Sequence, residues 1–183
     1  MSDVGWTDIS ATTAVAALLL KKMGYEPHIS VLASPVTLAS IKNKDIDVFL
    51  GNWAPAGDPL INPYLEEKSL KRLSVNLTGA KYTIAVPKYA YDQGVKSFAD
   101  LHRFRKKFDG KIYGIEPGAS GNRHILKMIA TNDFNLSHWQ LVASSEQGMM
   151  TQVRHAVENE KWIAFLAWAP HPMNDNFKIV YLP

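Results

Sequence analysis

The chain has 183 residues, of which 20 are Lys or Arg and 17 are Asp or Glu, and it contains no Cys. A hydrophobic fraction of 46% and a charged fraction of 20% are typical of globular proteins and exclude the disordered and fibrous classes. The absence of Cys excludes disulfides and thiolate metal sites, and the small positive excess is not the clustered basic face of a nucleic-acid-binding protein.

Helical and strand-like segments alternate along the chain, which predicts an α/β fold with largely parallel strand pairing. A first helix is predicted to begin at Thr7 or Asp8 and to stop at Met23, where Gly24 supplies a left-handed cap. The other segments predicted in this half are a strand at 28–33, a helix at 34–43, a strand at 46–50 and a helix at 61–68. The longest apolar run, 14–20, is shorter than the ~20 residues of a membrane helix and has no signal-peptide flanks.

A second series of elements follows residue 80. It comprises strands at 82–86, 112–115, 140–143, 163–166 and 177–182, short helices between 89 and 108, and helices at 121–131 and 147–158. Small residues at 77–80 replace the periodic pattern, which predicts two α/β lobes at 1–78 and 79–183. Gly79 fits an ordinary turn equally well.

Two segments repeat one pattern, in which an apolar strand is followed by a small residue and Trp-Ala-Pro. They end at Trp53-Ala54-Pro55 and Trp168-Ala169-Pro170. In open parallel sheets, ligands bind beyond the carboxyl ends of the strands, where both of these Trp lie. A third Trp, Trp6, lies just before the first helix, in what is predicted to be another strand-to-helix loop. A single Trp usually fills a core, as we predict for Trp139 and Trp162, but three Trp placed after strands indicate a ligand site.

Several aromatic rings around a cleft form an electron-rich box, which suits a quaternary ammonium group that has no N–H to donate. Asp8 follows Trp6 by two residues and could accept a hydrogen bond from a ligand hydroxyl. An acidic residue in the first turn of a helix is equally common, so the spacing alone leaves both roles open.

Six motifs in order resemble the substrate-binding proteins of ABC importers for choline and glycine betaine, most closely the choline-binding branch. They lie at 2–9, 42–53, 79–83, 110–118, 144–149 and 170–174, with the sequences SDVGWTDI, KNKDIDVFLGNW, GAKYT, GKIYGIEPG, SSEQGM and PHPMN. The resemblance covers essentially the whole chain.

This resemblance implies a two-lobed clamp of the type II periplasmic-binding-protein kind, with the ligand cleft between the lobes. It assigns an aromatic box to Trp6, Trp53, Tyr82 and Trp168, and a ligand contact to Asp8. The implied function is delivery of a small quaternary amine, most closely choline, to the permease and ATPase of an importer, without catalysis or cofactor. The implied location is periplasmic, or lipid-anchored and extracellular, with a role in osmoprotection.

One position departs from the choline-binding branch, which typically has Asn after Glu-Pro-Gly. Here that position is Ala119, which cannot make the side-chain hydrogen bond. Backbone N–H groups at the start of the next helix would instead favour a carboxylate, which keeps glycine betaine and carnitine as alternatives.

Two other classes of function remain as alternatives. An enzyme has little support, because Gly118-Ala119-Ser120-Gly121 is not a Gly-x-Ser-x-Gly elbow and the six His include no H-x-x-x-H pair. His171 could act as a general base, but a role in shaping its loop is the stronger expectation. A sensory module could use the same clamp with a different partner.

The length is short for the family that the motifs resemble. The resemblance implies that the first lobe lacks a strand and a returning C-terminal segment, and that the chain contains no signal peptide. We therefore expect apolar surface on the first lobe, covered by a domain-swapped or dimeric assembly.

Overall fold

The computed structural model describes all residues from Met1 to Pro183 and divides the chain into two compact units, Met1–Thr78 and Gly79–Pro183. No helix has the length and apolar character needed to cross a lipid bilayer.

The first unit combines three helices with a two-stranded parallel sheet. Its elements are β1 (Ser2–Asp3), α1 (Thr7–Lys22), β2 (Ser30–Val31), α2 (Ser34–Lys42) and α3 (Asp58–Glu66). Helix α1 begins at Thr7 and ends just before Gly24, whose φ of +91° confirms the predicted left-handed cap.

The strands of this unit are much shorter than predicted. The predicted strand 28–33 is reduced to β2, and the predicted strand 46–50 is wrong, since only Phe49 forms an isolated bridge, to Ser2. The physical reason is that β1 is the neighbour of both segments and offers two residues for pairing. A strand pattern in the sequence cannot form a ladder where the partner is missing.

Helix α1 buries one narrow face and exposes much of its apolar stretch. Ile9 and Thr13, one turn apart, are buried. Val15, Leu18 and Leu19 are 58%, 64% and 57% exposed. The first unit therefore has an apolar surface along α1.

The second unit is built around a five-stranded mixed sheet in the order β5-β4-β6-β3-β7. The strands are β3 (Lys81–Pro87), β4 (Lys111–Tyr113), β5 (Gln140–Val142), β6 (Ala164–Ala169) and β7 (Ile179–Tyr181). The helices are α4 (Lys88–Asp92), α5 (Phe98–Leu101), α6 (Ser120–Ala130), α7 (Glu146–Glu158) and α8 (Met173–Asn176), with 3-10 segments at His102–Phe108 and Asp133–Asn135.

The prediction of largely parallel pairing is wrong for half of this sheet. Strand β4 pairs in parallel with β5 and β6, whereas β3 pairs antiparallel with β6 and β7. Alternation of helices and strands predicts parallel neighbours only where consecutive strands pair through a crossover. Strand β3 instead pairs with the last two strands of the chain.

The central strands β3, β4 and β6 form the core of the second unit. Ile84, Ile112 and Phe165 are almost completely buried. Trp139, one residue before β5, is also buried, as predicted, and its ring centroid lies 5.8 Å from that of Phe108. Trp162 packs on the same ring at 5.2 Å. Trp139 therefore belongs to the structural core, whereas Trp162 is half-buried beside it.

Candidate functional site

In the first unit, Trp6 and Trp53 each follow one of two neighbouring parallel segments, and both lie beyond the same end. Ser2 is bridged in parallel to Phe49, and its N–H donates to the carbonyl of Val48 at 2.9 Å. Trp6 lies four residues beyond Ser2, and Trp53 lies four residues beyond Phe49. The pairing therefore places Trp6 and Trp53 beyond the same edge of this unit.

Gly51 allows the chain leading to Trp53 to pass close to α1. A Cβ added at Gly51 would lie 2.8 Å from the Phe49 ring and 3.0 Å from Ile9 Cγ2. Both approaches are shorter than normal van der Waals contact. Any side chain here would force the Phe49 ring, the Ile9 side chain or the loop itself to shift.

The turn that presents Trp6 is held by Asp3, which the sequence analysis did not single out. The Asp3 carboxylate accepts bonds from the Gly5 N–H at 2.8 Å and from the Ser10 hydroxyl at 2.7 Å. Trp6 is the N-cap residue of α1 and is 8% exposed, and Asp8 lies in the first turn. An Asp two residues before a Gly is a signal for such a turn.

The repeated Trp-Ala-Pro pattern extends to the backbone, because both Ala54-Pro55 and Ala169-Pro170 are cis peptide bonds. The surroundings of the two Trp differ. Trp53 is half-buried in a loop, and its carbonyl accepts from the Gly57 N–H at 2.6 Å. Trp168 lies inside β6 and not in a loop after it, which corrects the sequence prediction. The strand extends to Ala169 because β3 continues to pair with it.

Tyr82 and Trp168 are brought together in the second unit. They are register partners on the antiparallel strands β3 and β6, with ring centroids 6.1 Å apart and ring planes at 87°. Register partners project to the same face of a sheet, and this separation is typical of an edge-to-face aromatic pair. Reasoning from strand ends did not find Tyr82, since it begins a strand; only the family resemblance indicated it.

The Tyr82 hydroxyl accepts a hydrogen bond from the Gly121 N–H at 3.1 Å, in the first turn of α6. Burial raises the pKa of this hydroxyl well above its ordinary value, and the charge of Glu116 adds to the increase, against the opposing effect of the bond from Gly121. A Cβ at Gly121 would overlap the Tyr82 oxygen. Gly121 is therefore required for Tyr82 to reach the helix.

Ala119 is the N-cap residue of α6 and is 1% exposed. It stands two residues before Gly121, so the structure places it beside the segment that holds Tyr82. The Gly121 N–H is already bonded to Tyr82, and it is therefore not available to a ligand carboxylate. The loop before Ala119 is held by Asn122, whose amide bonds the backbone N–H and C=O of Ile115.

His171 is placed to organise its loop. Its Nδ1 accepts from the Met173 N–H at 2.9 Å, and its Nε2 faces Glu146 Oε1 at 3.0 Å. Both ring nitrogens are thus used, which leaves no free nitrogen for the general-base role. The hydroxyl of Ser120 interacts with Tyr82 and is not paired with a His. No group of three metal-ligating side chains is present.

One family of known proteins matches the whole chain. The family described as "Substrate binding domain of ABC-type glycine betaine transport system" matches residues 1–183. The chain belongs to this family. Its members are substrate-binding proteins of transport systems and not enzymes. The substrate-binding proteins of ABC importers act in the periplasm or outside the cell, where they bind a small ligand and interact with a permease.

Three relatives illustrate how similar this chain is to other proteins and how much of each chain the similarity covers. A solved "ABC-transporter choline binding protein in complex with choline" is 52% identical, with a TM-score of 0.96 over 99% of this chain and 63% of that chain. An uncharacterized protein, ORF1, of Chromohalobacter salexigens is 49% identical over 121 residues, which are 66% of this chain and 78% of the relative. The "Glycine betaine/carnitine transport binding protein GbuC" of Listeria monocytogenes is 33% identical over 98 residues, 54% of this chain and 32% of the relative.

These matches confirm the α/β substrate-binding fold expected from the sequence motifs. The chain spans 63% of the length of the solved choline-binding relative that it matches.

Proposed function

We propose that this chain binds a small quaternary ammonium compound, with choline as the leading candidate, and delivers it to an ABC importer. The observation that most supports this is the 52% identity and TM-score of 0.96 to a solved choline-binding protein. The Tyr82–Trp168 pair supplies two aromatic rings of the proposed site.

The proposed site is an aromatic box formed by Trp6, Trp53, Tyr82 and Trp168. Each ring face contributes about 0.5–2 kcal/mol toward a desolvated cation, so four faces supply several kcal/mol beyond burial of the methyl groups. Choline has about seven heavy atoms, and at a ceiling of ~1.5 kcal/mol per atom its binding energy is limited to about 10 kcal/mol. Micromolar affinity requires about 8 kcal/mol, which lies within this limit.

Asp8 and Ala119 are proposed to decide which polar end the site accepts. The Asp8 carboxylate would accept a hydrogen bond from a choline hydroxyl and would repel the carboxylate of betaine or carnitine. Ala119 removes a side-chain hydrogen bond that the choline-binding branch typically makes. Glycine betaine and carnitine therefore remain the second candidates, and the family description supports betaine.

Capture is proposed to follow closure of two lobes, 1–78 and 79–183. Trp6, Asp8 and Trp53 belong to the first of these ranges, while Tyr82, Ala119 and Trp168 belong to the second. A ligand that contacts both sets binds the closed state better, so its addition shifts the population toward closure.

The proposed partners are the permease and ATPase subunits of an importer, with the protein in the periplasm or lipid-anchored at the cell exterior. A second copy of this chain is proposed to cover the apolar surface of the first unit. This surface includes Val15, Leu18 and Leu19 of α1, and Leu73 and Val75 are also exposed, at 80% and 74%.

The proposed function is tested by calorimetric titration with choline, acetylcholine, glycine betaine and carnitine. The matched control ligand is 3,3-dimethylbutan-1-ol, which has the shape of choline with a neutral carbon in place of nitrogen. We expect choline to bind at least about tenfold more tightly than this alcohol, because only the cation is attracted to the ring faces. Equal affinity would contradict the aromatic box, and tighter binding of betaine than of choline would overturn the choline assignment.

A further inference from the structure

The pair formed by His171 and Glu146 is almost completely buried, with side chains that are 5% and 3% exposed. His171 Nε2 and Glu146 Oε1 are 3.0 Å apart. Buried polar groups of this kind are retained only when their hydrogen bonds are satisfied, so both partners depend on the contact. Neither residue belongs to the proposed aromatic box.

The contacts of His171 define its tautomer. Because Nδ1 accepts from the Met173 N–H at 2.9 Å, this nitrogen carries no proton. The proton is on Nε2, which donates to the Glu146 carboxylate. The imidazole is held at both ring nitrogens, by the Met173 backbone N–H at Nδ1 and by the Glu146 side chain of α7 at Nε2.

Glu146 is the first residue of α7, a helix of 13 residues. A carboxylate at a helix N-terminus interacts favourably with the unpaired N–H groups and the helix dipole. This position compensates part of the cost of burying the charge, and it fixes Glu146 relative to a regular element. His171 is thereby tied to the start of α7 across 25 positions of sequence.

The imidazole of His171 packs edge-on against Trp168, with ring centroids 4.8 Å apart and planes at 69°. Asn174 acts on the backbone of the same Trp, since its amide donates to the Trp168 carbonyl at 2.9 Å and to the His171 carbonyl at 2.8 Å. The Tyr181 hydroxyl in turn donates to Asn174 Oδ1 at 2.6 Å. The ring and the backbone of Trp168 are therefore held by separate contacts.

We propose that Glu146 and His171 are positioning residues, which fix the indole of Trp168 in the orientation that receives the ligand cation. This inference rests on the proposed function for its ligand, but the orientation of the indole is a property of the protein alone. An aromatic face contributes to cation binding only when it is directed at the cation, and a side chain locked by supporting hydrogen bonds needs no ordering on binding.

The test uses Glu146→Gln, Glu146→Ala and His171→Phe in the whole chain, with Glu146→Leu as a volume-matched second variant in case the Ala variant does not fold. Glu146→Gln keeps an oxygen acceptor for His171 Nε2, whereas Glu146→Ala and Glu146→Leu remove it. His171→Phe keeps an aromatic ring beside Trp168 but loses both hydrogen bonds. The control is Tyr89→Phe, which removes the 2.5 Å hydrogen bond to the Lys161 carbonyl in the same unit.

Two readouts separate positioning from general stability. The first is the near-ultraviolet circular dichroism of the Trp168 indole, identified by its loss in Trp168→Phe. We expect this band to persist in Glu146→Gln and Tyr89→Phe, and to be lost in Glu146→Ala, Glu146→Leu and His171→Phe. The second is the affinity for choline by calorimetry, which we expect to fall at least about fivefold in the same three variants, since a ring face is lost.

The outcomes distinguish the two proposals. If the wild-type chain binds neither choline nor betaine, the proposed function fails, while the dichroism band still tests the positioning role. If the wild-type chain binds ligand and the band and affinity are unchanged in His171→Phe and Glu146→Leu, the positioning role is overturned. An equal loss of affinity in Tyr89→Phe would also overturn it, because destabilisation alone would then explain the effect.

Discussion

Tyr82 and Trp168 lie directly opposite each other on the antiparallel strands β3 and β6, with their rings in an edge-to-face contact at 6.1 Å. One register therefore places two aromatic side chains on the same face of the sheet. A shift of the register by one residue would move one of them to the opposite face. The register of these two strands is thus a structural condition for the proposed site.

Replacement of Trp53 by Ala should weaken choline binding by about 2 kcal/mol or more, which is roughly 30-fold, because one ring face is lost and the pocket is opened. Calorimetric titration measures this change. The matched control is Trp162→Ala, which removes an indole that packs on Phe108 away from the proposed box. Unchanged affinity in Trp53→Ala would place the site elsewhere.

Replacement of Gly121 by Ala should weaken binding through Tyr82, since the new Cβ would overlap the Tyr82 hydroxyl. We expect the binding free energy to weaken by about 1 kcal/mol or more. The helix itself should not be the cause, because Ala is more favourable than Gly in a helix by about 0.8–1 kcal/mol. The double variant Gly121→Ala/Tyr82→Phe removes the overlapping oxygen and should recover part of the affinity. A double variant that binds no better than Gly121→Ala would exclude the hydroxyl oxygen as the main cause and leave the contacts with Tyr82 Cζ at 2.6 Å and Leu166 Cδ1 at 2.8 Å.

The free energy of unfolding should fall as the pH rises from about 10 to about 12, because the Tyr89 hydroxyl loses its proton in the unfolded state before it does so in the folded state. Burial, together with the charge of Glu160, raises the pKa of Tyr89 to about 12 from an ordinary value of 10.0. The folded state therefore holds this proton more tightly than the unfolded state, so the contribution is complete below pH 10 and is lost as the pH passes the folded pKa. Urea denaturation at pH 9 and pH 11 measures the change, and Tyr89→Phe should show a smaller difference between the two pH values.

The apolar surface of α1 should mediate association of two chains. We expect sedimentation velocity to show a dimer that dissociates on dilution, and Leu18→Lys to shift it toward monomer, because Leu18 is 64% exposed and a charge there would be costly to bury. Leu126→Lys is the matched control, since Leu126 is 51% exposed on the second unit. A wild-type chain that sediments as a monomer at all concentrations would contradict the proposed second copy.

Local features of this chain could be predicted from the sequence because their causes are local. The start of α1 near Thr7 and its end before Gly24 follow from backbone preferences within a few residues. The repeated Trp-Ala-Pro pattern and the family motifs also indicated the aromatic residues without coordinates. These features required no knowledge of which strands pair.

The tertiary structure alone decided the features that depend on distant partners. Tyr82 and Trp168 are 86 positions apart, and their pairing is set by the antiparallel register of β3 and β6, which no local pattern encodes. The predicted strand at 46–50 became a single bridge because its neighbour β1 has two residues. The contact of Glu146 with His171 likewise joins the start of α7 to the loop after β6, so only the packed chain could show it.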